Sequence, residues 1–285
     1  MIKAGARRDQ ALILGAEHLD TAKVPSARRD VAVLLQWVLS IDAAAMLAYG
    51  DMPLSEGEAV AFGAAIQRRA SREPVSHIVG GREFWGRWFE VTADVLDPRP
   101  ETEILISAAL NGPKPERVLD LGLGSGCILG TLLAEWGGAS GVGVDLSEAA
   151  LAVAGRNMDS LGVTSRVELQ QGDWLSGVAG TFDLITCNPP YITEEEMAVL
   201  SPEVAGHEPH MALTPGGDGL EPYRLLAPKL IAYLNEGGRV LFEIGPKQAQ
   251  DVSDIFVAAG WSTPEIHRDF DGRDRCLAFD APNCT

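Results

Sequence analysis

Two spacings of apolar residues divide this chain. Over the first seventy or so positions they recur at helical intervals. In SARRDVAVLLQWVLSID, residues Val31, Leu34, Leu35, Val38 and Leu39 fall on one stripe. In SEGEAVAFGAAIQRRASRE, Ser55 precedes the apolar run and Glu58 follows three positions later, the pattern of a capping box at a helix start. Small alanine-rich faces there predict close helix packing. From about Pro74 to Leu96 the texture changes to aromatic and β-branched residues around a Gly-Gly pair, which predicts a β-hairpin linker. DPRPETEILISAAL then restarts a helix, with its prolines confined to the entry.

From Arg117 onward, strand and helix patterns alternate. RVLDLG, GVGVDL, RVELQQGD, FDLITCN and RVLFEIG read as strands, and CILGTLLAEW, SEAALAVAGRNMDSLG, GLEPYRLLAPKLIAYLNEGG and PKQAQDVSDIFVAAG carry helices. TPEIHRDF and DRCLAFDA close the chain with no helix between them. Such alternation predicts an α/β fold with a doubly wound, mostly parallel seven-stranded sheet, and the direct final link predicts an antiparallel edge hairpin. The expected domains are a helical N-terminal module over 1–73, a β-hairpin linker over 74–98 and the α/β domain over 99–285.

Composition narrows the class. With 285 residues and 46% apolar content the chain can build a substantial core. Its formal net charge of −17 disfavours a phosphate backbone as the direct partner, because the basic pairs Arg28-Arg29 and Arg68-Arg69 are short and flanked by acids. Cys127, Cys187, Cys276 and Cys284 form no CxxC pair, and the histidines at 18, 77, 207, 210 and 267 show no ligand spacing, so no metal is expected. Reduced thiols, no leader and no long apolar run predict a cytoplasmic protein without membrane contact.

Chemistry concentrates at the predicted strand ends. LDLGLGSGC places Gly122, Gly124 and Gly126 between a strand and a helix, with Leu123 and Ser125 interleaved. Glycine permits positive φ and a close ligand approach, although a plain strand-to-helix turn explains the same residues taken alone. The spacing is GxGxG, not the GxGxxG of dinucleotide folds. The second strand ends at Asp145, where a carboxylate meets ribose hydroxyls in doubly wound folds. The third ends in Asp173-Trp174, an acceptor for an adenine amine beside an indole that can cover the ring. In this order the three strand ends suit S-adenosylmethionine, with Asp120 as acceptor near its amino group and S-adenosylhomocysteine as product. The fold is thus expected to be that of a class I S-adenosylmethionine-dependent methyltransferase.

FDLITCNPPYI, 182–192, ends a strand in Asn188, Pro189, Pro190 and Tyr191. Proline cannot continue a central strand. The Asn188 side-chain carbonyl and the Pro189 backbone carbonyl are two acceptors that suit one planar NH2 group. Such a nitrogen is a weak nucleophile, because its lone pair is delocalised, so holding both hydrogens orients it toward a methyl donor. Tyr191 can stack on a flat group. An adenine N6 and a carboxamide fit this cradle equally well.

Taken together, GREFWG (81–86), DPRPETE (97–103), LDLGLGSG (119–126), NPPYI (188–192) and EPHMALTPGGDGLEPYR, starting at Glu208, resemble the release-factor glutamine-N5 methyltransferase family (PrmC/HemK) over roughly 74 to 280. The resemblance implies methyl transfer to the amide of the glutamine in the Gly-Gly-Gln motif of peptide-chain release factors. It implies catalytic roles for Asn188, Pro189 and Tyr191. It implies cofactor contacts from Gly122 to Gly126, Asp145, Trp174 and Asn188. Phe84, Trp85 and the turn from Arg99 to Glu103 would lie near the substrate, Glu243 would border its pocket, and the loop opened by Glu208 would fold over the site. The helical N-terminus would dock the release factor, and a monomer is expected. Three positions depart from the family: Leu123 stands for a common Thr, His77 for Tyr, and Asp97 for an apolar residue, which puts local packing in question. The rivals are an adenine-N6 methyltransferase acting on nucleic acid, which the acidity opposes, and an inactive cofactor-binding protein, which the intact NPPY opposes.

Overall fold

The computed structural model describes residues 2–281, so Cys284 lies outside the described residues. The chain separates into two compact units: residues 1–81 with 201–207, and residues 82–200 with 208–285.

The first unit is helical: α1 (Arg8–Thr21), α2 (Ala27–Leu39), α3 (Ala43–Ala48), α4 (Glu56–Ala70) and α5 (Val75–Val79). The start of α4 is capped as the pattern predicts. Glu58 N–H donates to the Ser55 hydroxyl, and the Glu58 carboxylate accepts from Ser55 N–H at 2.7 Å. Val31, Leu34, Leu35, Phe62 and Ile66 form the buried core. Part of the expected hairpin linker is helical, because α5 occupies 75–79 and Gly80 ends it in the left-handed region. The segment 201–207, distant in sequence, joins this unit through charge. Arg69 is buried between Asp30 (2.7 Å) and Glu203 (2.9 Å), and Arg72 adds a second contact to Glu203 at 2.8 Å.

The second unit opens with a hairpin of β1 (Gly81–Phe84) and β2 (Arg87–Glu90). A 3-10 turn at Pro100–Thr102 leads into α6 (Glu103–Leu110). Then follow β3 (Arg117–Leu121), α7 (Cys127–Glu135), β4 (Ser140–Asp145), α8 (Glu148–Ser160), β5 (Val167–Gln171) and β6 (Phe182–Cys187). The next loop carries the short helix α9 (Glu194–Met197) and then α10 (Pro202–His207), which belongs to the first unit. The chain closes with α11 (Glu221–Leu230), β7 (Leu234–Glu243), α12 (Ala249–Ala258), β8 (Glu265–Arg268) and β9 (Asp274–Asp280). The seven strands run in the order β5-β4-β3-β6-β7-β9-β8. All neighbours are parallel except β7/β9 and β8/β9. This is the expected doubly wound sheet with its antiparallel edge.

Both faces of the sheet are covered, so its central strands are mostly apolar rather than alternating, with Asp120 and Thr186 as buried polar exceptions. One core packs Leu105, Leu129 and Leu132 on one face, and the other packs Tyr223, Phe242 and Phe256 on the opposite face. Strand order reverses at β3 and β6, and the crevice beyond their carboxyl ends is where such sheets bind ligands. Asp97 does not disrupt its surroundings: it is buried and accepts from Arg82 Nη1 at 3.0 Å. Phe84 faces inward, 2% exposed, with its ring edge on Phe89 at 6.0 Å.

Candidate active site

The crevice is a cavity of about 1000 Å³ including its open mouth, at the carboxyl ends of β3, β4, β5 and β6. Gly122, Leu123, Gly124, Ser125, Asp145, Asp173, Trp174, Asn188, Pro190 and Arg99, all singled out from sequence, line it. Gly122 and Gly124 adopt φ of +72° and +54°. A side chain on Gly122 would point between the Trp174 ring and the Asn188 backbone carbonyl, at 3.7 and 3.8 Å.

Asp145 ties the turn together. Its Oδ2 accepts from Gly124 N–H at 2.8 Å and its Oδ1 from Ser147 N–H at 2.9 Å. A carboxylate has about four lone-pair sites, so capacity remains for hydroxyl donors in the cavity. Trp174 holds φ of +54°, an uncommon value for a bulky residue, and this places its indole on the wall. Asn157 completes the support: its side-chain nitrogen donates to Ser125 O at 2.8 Å and to Glu90 O at 3.1 Å, and its oxygen accepts from Glu90 N–H at 2.7 Å. Asn157 belongs to an ordinary amphipathic helix pattern, so nothing in the sequence marks it.

Asp120 lies beneath the turn rather than on the cavity wall. It is buried in β3 beside Thr186 of β6, whose hydroxyl donates to Oδ1 at 2.7 Å, while Oδ2 has no hydrogen-bond partner. Burial pushes its carboxyl up to about 7, despite the Thr186 hydrogen bond that favours the charged form.

The acceptor end is built around Asn188. Its side-chain nitrogen faces Thr102 Oγ1 at 3.4 Å. Pro189 is buried, Pro190 lines the cavity, and the Tyr191 hydroxyl donates to Glu243 Oε1 at 3.2 Å. Tyr191 is held edgewise by this bond and is not among the lining residues. Glu243, at the end of β7, is 1% exposed, and its Oε2 has no hydrogen-bond partner. Burial pushes its carboxyl up to about 7; the neighbouring Thr102 and Tyr191 hydroxyls and Arg275 oppose that shift. Neither Glu243 nor Phe84 reaches the cavity wall. Glu243 sits one layer behind it, and Phe84 belongs to the core.

The loop after Tyr191 returns to the cavity. Arg99 Nη2 donates to both oxygens of buried Glu208, at 2.6 and 2.7 Å, and the adjoining Pro209, Met211 and Ala212 line the cavity. Burial raises the Glu208 carboxyl, and Arg99 opposes the rise. Met211 and Thr102 were not individually legible; both sit inside segments that the family resemblance quotes.

The donor set can be tested against S-adenosylmethionine. An indole wall, an acidic strand end with spare acceptors, and a glycine turn held at positive φ all fit an adenosine. Among the described residues no group of three or more His, Cys, Asp or Glu is arranged to hold a metal ion. Together the sheet order and this cavity define a class I methyltransferase, with S-adenosylmethionine as cofactor. The solved structure of a methyltransferase from Pyrococcus furiosus supports the fold, with a TM-score of 0.53, 21% identity and coverage of 70% of this chain and 90% of that one. A PrmC N-terminal domain model matches residues 10–80, and a methyltransferase small domain model matches 93–218. Release factor glutamine methyltransferases of Cereibacter sphaeroides and Rhodospirillum rubrum are 49% and 44% identical. They are matched over 97% and 94% of this chain and 99% and 85% of theirs. The chain belongs to the release factor glutamine methyltransferase family.

Proposed function

We propose that this protein transfers a methyl group from S-adenosylmethionine to the side-chain amide nitrogen of the glutamine in the Gly-Gly-Gln motif of peptide-chain release factors. The observation that carries the reading is the placement of Asn188. It stands at the cavity wall on the end of β6 with its carboxamide 3.4 Å from Thr102, and we assign the nitrogen, not the carbonyl oxygen, to that contact. Oδ1 is thereby left to accept from a substrate. The Pro189 carbonyl takes the second hydrogen, so the amide nitrogen is held with its lone pair directed at the methyl group. The bound cofactor supplies an electrophilic methyl on a sulfonium sulfur. Gly122 to Gly126, Asp145, Asp173 and Trp174 hold it. The Arg99–Glu208 pair fixes the loop whose Pro209 and Met211 screen the cavity from water.

The helical first unit serves as the docking surface for the release factor. It exposes several large apolar side chains, among them Leu47, Val60 and Trp37, that its own core does not use. The protein acts as a cytoplasmic monomer on a protein substrate, not on nucleic acid. The net charge of −17 supports that choice. Among the described residues no helix is long and apolar enough to cross a membrane. The decisive test is incubation with methyl-labelled S-adenosylmethionine and either release factor or DNA and RNA, followed by peptide mass spectrometry. Label is expected on the Gly-Gly-Gln glutamine and lost when that residue is replaced. Label on nucleic acid alone would overturn the reading, and cofactor binding with no transfer to either would identify an inactive binder.

A further inference from the structure

A carboxamide can present either its oxygen or its nitrogen to a ligand, and a hydroxyl can either donate or accept. The 3.4 Å contact between Asn188 and Thr102 therefore does not set its own direction. If the Thr102 hydroxyl donated to Asn188, the Asn188 NH2 group would face the acceptor site and repel the amide it must hold. Something must fix the proton on Thr102. Thr102 and Tyr191 are both hydroxyl neighbours of Glu243, whose Oε1 accepts from Tyr191 and whose Oε2 is buried and makes no hydrogen bond. Thr102 is the hydroxyl neighbour that most favours the ionised form of that carboxyl.

We infer that Glu243 is a positioning residue which, acting through Thr102, fixes the orientation of the Asn188 amide. The carboxylate only accepts. Oε1 takes the Tyr191 proton, and Oε2, which makes no hydrogen bond in the structure, is the acceptor open to the Thr102 proton. Thr102 Oγ1 is then left as an acceptor for the Asn188 nitrogen, and Asn188 Oδ1 faces the substrate. One anion thereby sets the polarity at both ends of the Asn188–Tyr191 cradle. Protonated Glu243 carries a donor of its own and loses this control, so turnover should fall as pH drops through the range in which Glu243 gains its proton. The groups around it are Glu101 on the Pro100–Thr102 turn, Arg275 and Cys276 on β9, Cys187 on β6, Cys127 on α7, and Tyr223, whose hydroxyl donates to the Glu243 backbone carbonyl. Burial lifts the thiols and Tyr223 well above neutral pH, which leaves Glu243 and Asp120 as the carboxyls raised to about 7 here.

The inference rests on the proposed function, and its test separates the two. Methyl transfer to release factor is measured across pH for the wild type, Glu243→Gln, Thr102→Val and Thr102→Ser, with cofactor affinity and melting temperature determined for each. If the wild type labels no release factor, the proposed function fails. With an active wild type, Glu243→Gln is expected to lower kcat about 10- to 100-fold, to keep cofactor affinity within about twofold, and to abolish the acid limb of the pH profile. Thr102→Val should reproduce the kcat loss, and Thr102→Ser should recover most of it. A Glu243→Gln enzyme with wild-type kcat, or one that keeps the acid limb, would overturn the inference and assign that limb to Asp120. So would a Thr102→Ser enzyme as impaired as Thr102→Val. If Glu243→Gln does not fold, the Thr102 pair decides.

Discussion

Single side chains in this protein show how far chemistry can be read from letters alone. Asn188 was legible because prolines after an apolar strand leave few other reasons for a polar amide. Replacing it with alanine removes one acceptor for the target nitrogen but no observed support of the glycine turn. Turnover is expected to fall by about 100-fold or more, with cofactor affinity little changed in a calorimetric titration. Asp145→Ala should act in the opposite sense. It strips the acceptor from the Gly124 and Ser147 N–H groups, so cofactor binding should weaken by about 1.5–3 kcal/mol. Thr102 was harder to read, because its role depends on which neighbours its hydroxyl faces from other segments of the chain. Glu243 also carries a stability signature. Its folded-state pKa, about 7, lies above its ordinary value of 4.5. Its contribution to stability is therefore complete below the ordinary value and is lost as pH rises through about 7. Thermal melts of Glu243→Gln should show less loss between mildly acidic and alkaline pH than melts of the wild type.

Elements followed the apolar spacing wherever packing rewards it. The central strands were legible because both faces are covered and most of their positions are apolar. α5 was not, because five residues are too few to display a period, and neighbouring aromatics and Gly-Gly suggested a hairpin one turn early. The short helices α9 and α10 were likewise missed within a loop of mixed composition. At the junction of β3 and α7, Gly126 has φ of +76°, and a Cβ there would meet Met158 Cε at 2.5 Å. Gly126→Ala should therefore destabilise the second unit by about 1–3 kcal/mol in urea unfolding, chiefly through its positive φ, since the end of the Met158 side chain can move aside.

For the whole molecule, the fold class, the mostly parallel sheet and its antiparallel edge were foreseeable from strand–helix alternation, whereas the division of the chain was not. Three consecutive domains were expected, yet residues 201–207 belong with the first unit. The cause is electrostatic and non-local: Arg69 lies 134 positions from Glu203. Arg69→Met would leave Asp30 as an unmatched anion in a mostly buried place and Glu203 with Arg72 alone, a change worth about 3–5 kcal/mol. Burial raises the Glu203 carboxyl, but Arg72 and Arg69 bring it below its ordinary value. Its stabilising contribution is thus present above that ordinary value and disappears as pH falls through the depressed one. The first unit should lose stability on acidification in the wild type, and less so in Arg69→Met.

The placement of 201–207 also governs how the protein can be taken apart. The chain passes from one unit to the other at Gly81–Arg82, returns at Leu200–Ser201 and leaves again at His207–Glu208. A single cut at the first junction therefore cannot free either unit, since the stitch at 201–207 still joins them. A fragment beginning at Arg82 would carry Glu203 away from both arginines that hold it. Separable halves require excision of that stitch as well, with the two sides of the gap rejoined.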